Sequence, residues 1–338
     1  MADGPGTLLI LGGSGDLTGR LLLPGLGDLL AASPSRRLLL VGAGAERWDQ
    51  DTWRTRVRAS FDAAGATGPA VDATLAGTRY ETADVTRPDD LRRLLAVCDG
   101  APAVYFALPP AVTARACEAL GQVALPEGTV LVLEKPFGTD REHAVALNGV
   151  LAGLVPEHRI HRVDHFLGKS TVLNLLGLRF ANRLFEPLWS AAHIESVEIA
   201  YEEDLGLEGR ARYYDGAGAL MDMIQSHLLQ GLALVAMDPP ATVGPDDLRD
   251  RKAEVLRATR VWGGDGATAG RRARYGPGTA GGHETPGYAH EEGVDPARGT
   301  ETLAEVTLEV ANWRWAGVPF RLRSGKALSA LRKEIVVD

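Results

Sequence analysis

Within Arg162–Ser170, RVDHFLGKS, an acid, a histidine and a lysine fall inside six residues. Such a set can move a proton and hold an anion. A carboxylate orients and charge-balances an imidazole, and a lysine offers a mobile point charge to phosphate or carboxylate groups. Taken locally, the same residues also read as a polar strand end running into a capped helix. A further histidine, His227, lies in GALMDMIQSHLLQGLALVAMD, where Leu220, Ile224, Leu228 and Leu232 recur at i+4 on one helical face. His227 falls on or beside that stripe. It is either a satisfied core histidine or a general base in a dry cleft, a role suited by an unperturbed pKa of about 6.5. Asp222 precedes it by one and a half helical turns. That places Asp222 to touch a ligand at the helix edge rather than His227, so an oriented base needs its acid from elsewhere in the chain.

A third cluster is Gly12-Gly13-Ser14-Gly15-Asp16-Leu17, between the apolar run TLLIL and the helical stretch LLLPGLGDLL. Glycines there let the backbone turn tightly and approach a pyrophosphate, and the following helix N-terminus offers free N–H groups. Thr18 breaks a strict GxGxxG, and a plain tight turn is the alternative. After a second apolar strand (residues 38–41) comes Gly42-Ala43-Gly44-Ala45-Glu46-Arg47. An acid at that strand end suits the ribose hydroxyls of NAD, and an arginine suits the extra phosphate of NADP. Both lie late in the turn, so the choice stays open.

These residues need a scaffold. The chain has 338 residues, 45% hydrophobic and 24% charged, as expected of a globular protein with one large or two ordinary domains. Strands at 7–11, 38–41, 103–108 and 129–133, with helical stretches such as 112–121, predict a doubly wound, Rossmann-like parallel sheet. After about residue 165 the texture changes. A helix at 170–182, alternation at 193–203, a long helix at 218–237 and alternation at 302–310 and 318–323 predict an α+β domain with a mainly antiparallel sheet. The fold class is therefore α/β, with domains at 1–165 and 166–338. Residues 263–299, rich in Gly, Arg and Glu, read as a long mobile surface excursion. Cys98 and Cys117 make no disulfide framework or metal cluster, which fits a reducing cytoplasm. A net charge of −8 without a long basic run argues against nucleic acid. The apolar runs are too short for a membrane span, and the N-terminus reads as neither leader nor anchor.

In chain order, LGGSGDLTGR, YFALPP, EKPFG, RVDHFLGK, LRFANRLFEPLW, YYDGAGALMDMIQSHLLQGLALVAMDPP, GYAHEEGV and NWRWAGVPFRLRSGKAL resemble the glucose-6-phosphate dehydrogenases. The resemblance implies hydride transfer from C1 of a sugar phosphate to NADP or NAD, giving a lactone. It implies His227 as the base on the C1 hydroxyl and Asp164 as the acid that orients it. His165 and Lys169 become ligands of the 6-phosphate, and Glu203, Asp222 and Lys326 contacts of the sugar. Gly12, Gly13, Ser14, Gly15, Asp16, Leu17, Arg47 and Pro109 become cofactor contacts. Lys135 touches both sugar and nicotinamide regions, beside Pro136, which resembles a hinge proline that is often cis. Singly, Lys135 and Lys326 read as surface lysines, Asp164 as a helix cap, Asp222 as helix surface and Glu203 as a strand end.

Three departures qualify the resemblance. Phe166 stands where the family carries tyrosine, a loss of one phosphate hydrogen bond worth about 1–3 kcal/mol. Ala45 stands where NADP-preferring members carry arginine. The chain ends soon after LRSGKALSALRK, where family chains continue through more of the large sheet, so a homo-oligomer is expected to be weakened. Two other readings follow: a dehydrogenase of a different or unphosphorylated sugar, motivated by Phe166, and a non-catalytic regulatory relative, motivated by the short C-terminus.

Overall fold

The structure, a computed structural model, describes residues 6–138, 140–209 and 211–338. The first five residues, part of the stretch read above as neither leader nor anchor, lie outside them. The chain forms two compact units, Met1–Val163 and Asp164–Asp338.

The first unit is built on six parallel strands: β1 (Thr7–Leu11), β2 (Leu39–Gly44), β3 (Arg79–Thr82), β4 (Pro102–Phe106), β5 (Val130–Glu134) and β6 (Ile160–Val163). Their order, β3-β2-β1-β4-β5-β6, is that of doubly wound dinucleotide-binding sheets. The central strands are continuous apolar runs because helices cover both faces. Leu9, Ile10, Leu11, Val41, Val104 and Leu131 are all buried, the neighbours Leu9 and Ile10 falling in different core clusters. The short edge strand β3 carries little periodic signal and escapes a reading by pattern, whereas β6 is the strand whose polar end was read at RVDH. Cys98 and Cys117 are unpaired. Burial pushes their thiols up to about 11 and about 12, so both stay protonated and inert near neutral pH.

The second unit carries a mixed sheet of β7 (Val197–Glu202), β8 (Thr259–Val261), β9 (Gly270–Ala273), β12 (Leu303–Val310), β13 (Pro319–Gly325) and β14 (Arg332–Val337). A separate hairpin joins β10 (Pro277–Ala280) to β11 (His283–Pro286). Pairing is antiparallel except between β7 and β13, which run parallel. The stretch expected as a mobile surface excursion is indeed mostly exposed, but it is tied down at two places. β9 joins the sheet, and Tyr288 is fully buried with its hydroxyl donating to the buried Asp215 carboxylate at 2.6 Å. Composition hid this because two tyrosines, Tyr275 and Tyr288, supply the packing in an otherwise polar segment.

The long helix also differs from the even stripe expected of it. Gly218 breaks it at φ +68°, a π-helical segment runs from Leu220 to Leu228, and an α-helix continues over Leu229–Ala236. The wider i→i+5 winding changes which residues share a face. Ile224, His227, Leu228 and Leu232 are buried, whereas Leu220 is 40% exposed and leaves the stripe. The C-terminal carbonyls are all satisfied. Ala233 accepts from Met237 N–H, Leu234 from Arg179, Val235 from the Trp189 indole and Ala236 from the Trp315 indole. By length and mean hydropathy the run Tyr213–Ala236 also passes as a membrane span, but it is 56% buried inside the unit, as a core helix is.

Candidate active site

In the second unit the chain leaves β6 and turns at once. Asp164–Gly168 is not extended. Leu167 N–H reaches the Asp164 carbonyl, Gly168 N–H that of His165, and Lys169 N–H that of Phe166. The Asp164 carboxylate accepts from Phe166 N–H at 3.0 Å, a local bond that draws the acid back over the turn. Asp164 and His165 therefore do not diverge as adjacent residues of a strand would. Both approach His227, and one donor atom from each of the three lies within 4.8 Å of the others.

The His227 Nδ1 atom lies 2.9 Å from Asp164 Oδ1, with the two side chains 8% and 4% exposed. This is the acid that the helix itself lacked. Nδ1 is buried and sits off the line of a good hydrogen bond, so the pairing is chiefly electrostatic. It strengthens when the imidazole takes up a proton. Phe166 stacks on the imidazole at 5.3 Å with 30° between planes, and His165 meets it edge-on at 4.9 Å. One face of the histidine is thus dry while its neighbours are polar. This arrangement can hold a proton on a ring that has an anionic partner.

Lys169 occupies the N-cap position of the helix Ser170–Phe180. Its ammonium lies over the rings of Phe166 and Tyr201, at 5.3 and 4.9 Å, and 3.4 Å from the Tyr201 hydroxyl. Lys333 of β14 covers Tyr201 at 4.6 Å. Among the described residues, neither ammonium has a carboxylate partner. These groups line a pocket of about 330 Å³ with Thr171 and Glu334. Tyr201 and Lys333 were missed by the sequence reading. Alternation along β7 was legible, but nothing in it marked one tyrosine as facing a lysine.

Glu203 and Lys326 meet because β7 and β13 run parallel. Their register pairs Glu202 with Gly325, so the next residue of each strand emerges on the same end. The Lys326 ammonium sits 2.5 Å from the Glu203 carboxylate, over the ring of Tyr214. Asp222 is half-buried and accepts from the Tyr213 hydroxyl at 3.2 Å. In the π-helical winding it stands one i→i+5 step before His227, nearer the same face than α-helical counting implies.

In the first unit, the glycine loop closes as a tight cradle. Gly12 has φ +94°, and a Cβ there would lie 2.1 Å from the Ala107 carbonyl oxygen; one on Gly13 would lie 3.0 Å from Gly42 Cα. Gly12 and Gly13 N–H both bond to the Ala43 carbonyl, and the buried Thr18 hydroxyl donates to the Gly12 carbonyl. Thr18 thus locks the loop that it seemed to spoil as a motif. Asp16 and Leu17 begin the helix, with Asp16 paired to Arg20 at 3.1 Å. Arg56 donates to the Gly15 carbonyl at 2.7 Å, a brace that the sequence reading did not find. Such a cradle before a helix N-terminus fits the pyrophosphate of a dinucleotide. Pro109 caps the helix Pro110–Leu120, Arg47 is exposed, and Lys135 follows β5 in a cis peptide bond to Pro136.

Comparison with known proteins bears on all of these residues together. Residues 9–174 match the model of the glucose-6-phosphate dehydrogenase NAD-binding domain, and residues 176–338 that of the C-terminal domain. The glucose-6-phosphate 1-dehydrogenase of Dickeya dadantii is 39% identical, covering 98% of this chain and 69% of the relative. That of Zymomonas mobilis is 40% identical over 100% of this chain and 71% of its own. The crystal structure of the Mycobacterium avium enzyme superposes with a TM-score of 0.86 at 37% identity, over 98% of this chain and 72% of that one. A glucose-6-phosphate dehydrogenase in complex with glucose 6-phosphate gives 0.87 at 29% identity, over 100% of this chain and 72% of that one. This chain belongs to the glucose-6-phosphate dehydrogenase family.

Proposed function

We propose that the protein oxidises glucose 6-phosphate, or a close aldose phosphate, at C1 to the lactone, with NADP or NAD as hydride acceptor. The observation that carries this reading is the buried Asp164–His227 pair at 2.9 Å, beside Lys169, which has no carboxylate partner among the described residues, within a family-matched chain. His227 takes the C1 hydroxyl proton, and Asp164 stabilises the imidazolium that results. The bound nicotinamide supplies the hydride acceptor. Lys169 holds the 6-phosphate as a point charge at a helix N-terminus, with His165 beside it. Tyr201 supplies a hydroxyl to the phosphate that Phe166 lacks, since its oxygen is 3.4 Å from the Lys169 ammonium. Glu203, Asp222 and Lys326 bind sugar hydroxyls. The Lys326–Glu203 pair is charge-neutral, which suits hydroxyl recognition better than a second phosphate site. By the resemblance in EKPFG, Lys135 contacts sugar and nicotinamide. Two inert, unpaired thiols suit a reducing cytoplasm.

Steady-state assays with glucose 6-phosphate and free glucose, each with NAD and NADP, test the reading. Cofactor reduction with the phosphorylated sugar, abolished in His227→Asn, is the expected result. No turnover despite tight dinucleotide binding would favour a regulatory relative instead.

A further inference from the structure

The helical segment that carries Asp222 and His227 begins without a cap of its own. Gly218 breaks the chain at φ +68°, and winding restarts at Leu220 after Ala219, whose methyl group accepts no hydrogen bond. The first N–H groups of the new turn therefore need acceptors from elsewhere. They find them on Glu301. Ala219 N–H reaches its carbonyl at 3.2 Å, and Leu220 N–H reaches its carboxylate at 3.0 Å. That carboxylate fills the space over Gly218, where a Cβ would lie 2.6 Å from Glu301 Oε1. The flanking residues fasten the same junction. The Thr300 hydroxyl donates to the Asp215 carbonyl at 2.7 Å, on the near side of the break. The Thr302 carbonyl accepts from Lys326 N–H at 2.9 Å, and Thr302 N–H bonds to the Ala273 carbonyl of β9 at 2.8 Å. Three consecutive residues thus join the start of the His227 helix to the end of the sheet that bears Lys326.

We propose that Glu301 is a positioning residue of the sugar site. As the borrowed cap of the π-helical turn, it fixes the rotation of Asp222 and, one i→i+5 step on, of His227. A carboxylate suits the post, because it satisfies an N–H group and faces the positive end of the helix dipole. The π winding makes the cap consequential. A first turn released from Glu301 is free to rewind from i→i+5 to i→i+4, which turns Asp222 relative to His227. Asp222 lies inside the capped turn, and its other tie, to the Tyr213 hydroxyl, crosses the same break. His227 is held separately, by Asp164 and by its stacking on Phe166. Loss of the cap therefore falls mainly on the sugar contact and less on the base. The proposal rests on the dehydrogenase reading and adds to it a residue that acts through Asp222 rather than by touching the sugar.

The test compares wild type with Glu301→Ala, Glu301→Gln and Glu301→Asp by initial-rate kinetics and amide hydrogen exchange of the intact chain, with thermal melting as the folding control. Glu301→Ala should raise KM for glucose 6-phosphate about tenfold and lower kcat by less than about threefold, the scale of a lost cap. Its amide exchange should quicken about tenfold across Leu220–Ile224 and stay unchanged across Leu229–Ala236. Glu301→Gln, whose amide oxygen still accepts from Leu220 N–H, should stay within about threefold of wild type in both readouts. Glu301→Asp falls a methylene short of that N–H and should follow the alanine variant; it decides the matter should the alanine variant not fold. A residue with a merely structural role would lower the melting temperature and leave KM alone. Wild-type KM or wild-type exchange in Glu301→Ala, or a glutamine variant as impaired as the alanine one, overturns the proposal and leaves the dehydrogenase reading in place. Without turnover in wild type that reading falls, and the exchange comparison decides whether Glu301 holds the turn.

Discussion

Replacing Asp164 by asparagine removes one charge and little else. The amide oxygen can still accept from Phe166 N–H, so the turn that shapes the site survives. With neutral His227 the resting pair is a charge–dipole contact, and it becomes an ion pair only when the imidazole takes the substrate proton. At the observed 2.9 Å, that ion pair is worth at most about 6 kcal/mol at an effective dielectric of about 20. The off-line approach of Nδ1 and the retained amide dipole reduce the loss. We therefore expect a penalty of about 3–4 kcal/mol, or a fall in kcat of about 10²–10³-fold. The interaction exists only as the proton moves, so kcat and kcat/KM should fall together with KM unchanged. The assay is initial-rate cofactor reduction across a range of glucose 6-phosphate concentrations, with thermal melting as the control for folding. A kcat within about threefold of wild type, in a folded variant, would refute the assignment of Asp164 as the partner of the base.

Other perturbations address the anion site and the scaffold. Tyr201→Phe should raise KM for the phosphorylated sugar about ten- to hundredfold with kcat preserved, the value of one charge-assisted hydrogen bond. Adding Phe166→Tyr should restore much of it, and an unchanged KM in the single variant would place the phosphate elsewhere. Gly12→Ala combines a positive φ with a 2.1 Å clash against backbone, and should cost at least about 3 kcal/mol; an unaltered melting temperature would contradict the tight-cradle geometry. Trp315→Phe strips the donor from the Ala236 carbonyl at the end of the His227 helix and should cost about 1–3 kcal/mol. If chemical denaturation showed no loss, that carbonyl would have to be satisfied by another donor.

Much of the first unit was legible because its physics is local. Strands covered on both faces become continuous apolar runs, and a glycine loop between strand and helix announces a close approach of backbone to backbone. The second unit was less legible. The π-helical winding left no trace in the apolar spacing, so Leu220 does not belong to the core stripe in which it was read, whereas Asp222, as read, pairs with another group and leaves His227 to an acid from elsewhere. The segment 263–299 looked unstructured because a few tyrosines, rather than an alternating pattern, hold it.

RVDHFLGKS shows where the boundary lies. The residue types alone offered an acid, a histidine and a lysine at a strand end; the family resemblance made Asp164 the partner of the base and His165 and Lys169 phosphate ligands, and marked the missing tyrosine hydroxyl. The sequence did not carry the turn at Asp164, the parallel register that joins Glu203 to Lys326, or the arrival of Tyr201 and Lys333 beside Lys169. Periodicity reports which face of an element is buried. Which residues of distant elements meet depends on strand register and helix winding, and these are set by the packing of the whole unit.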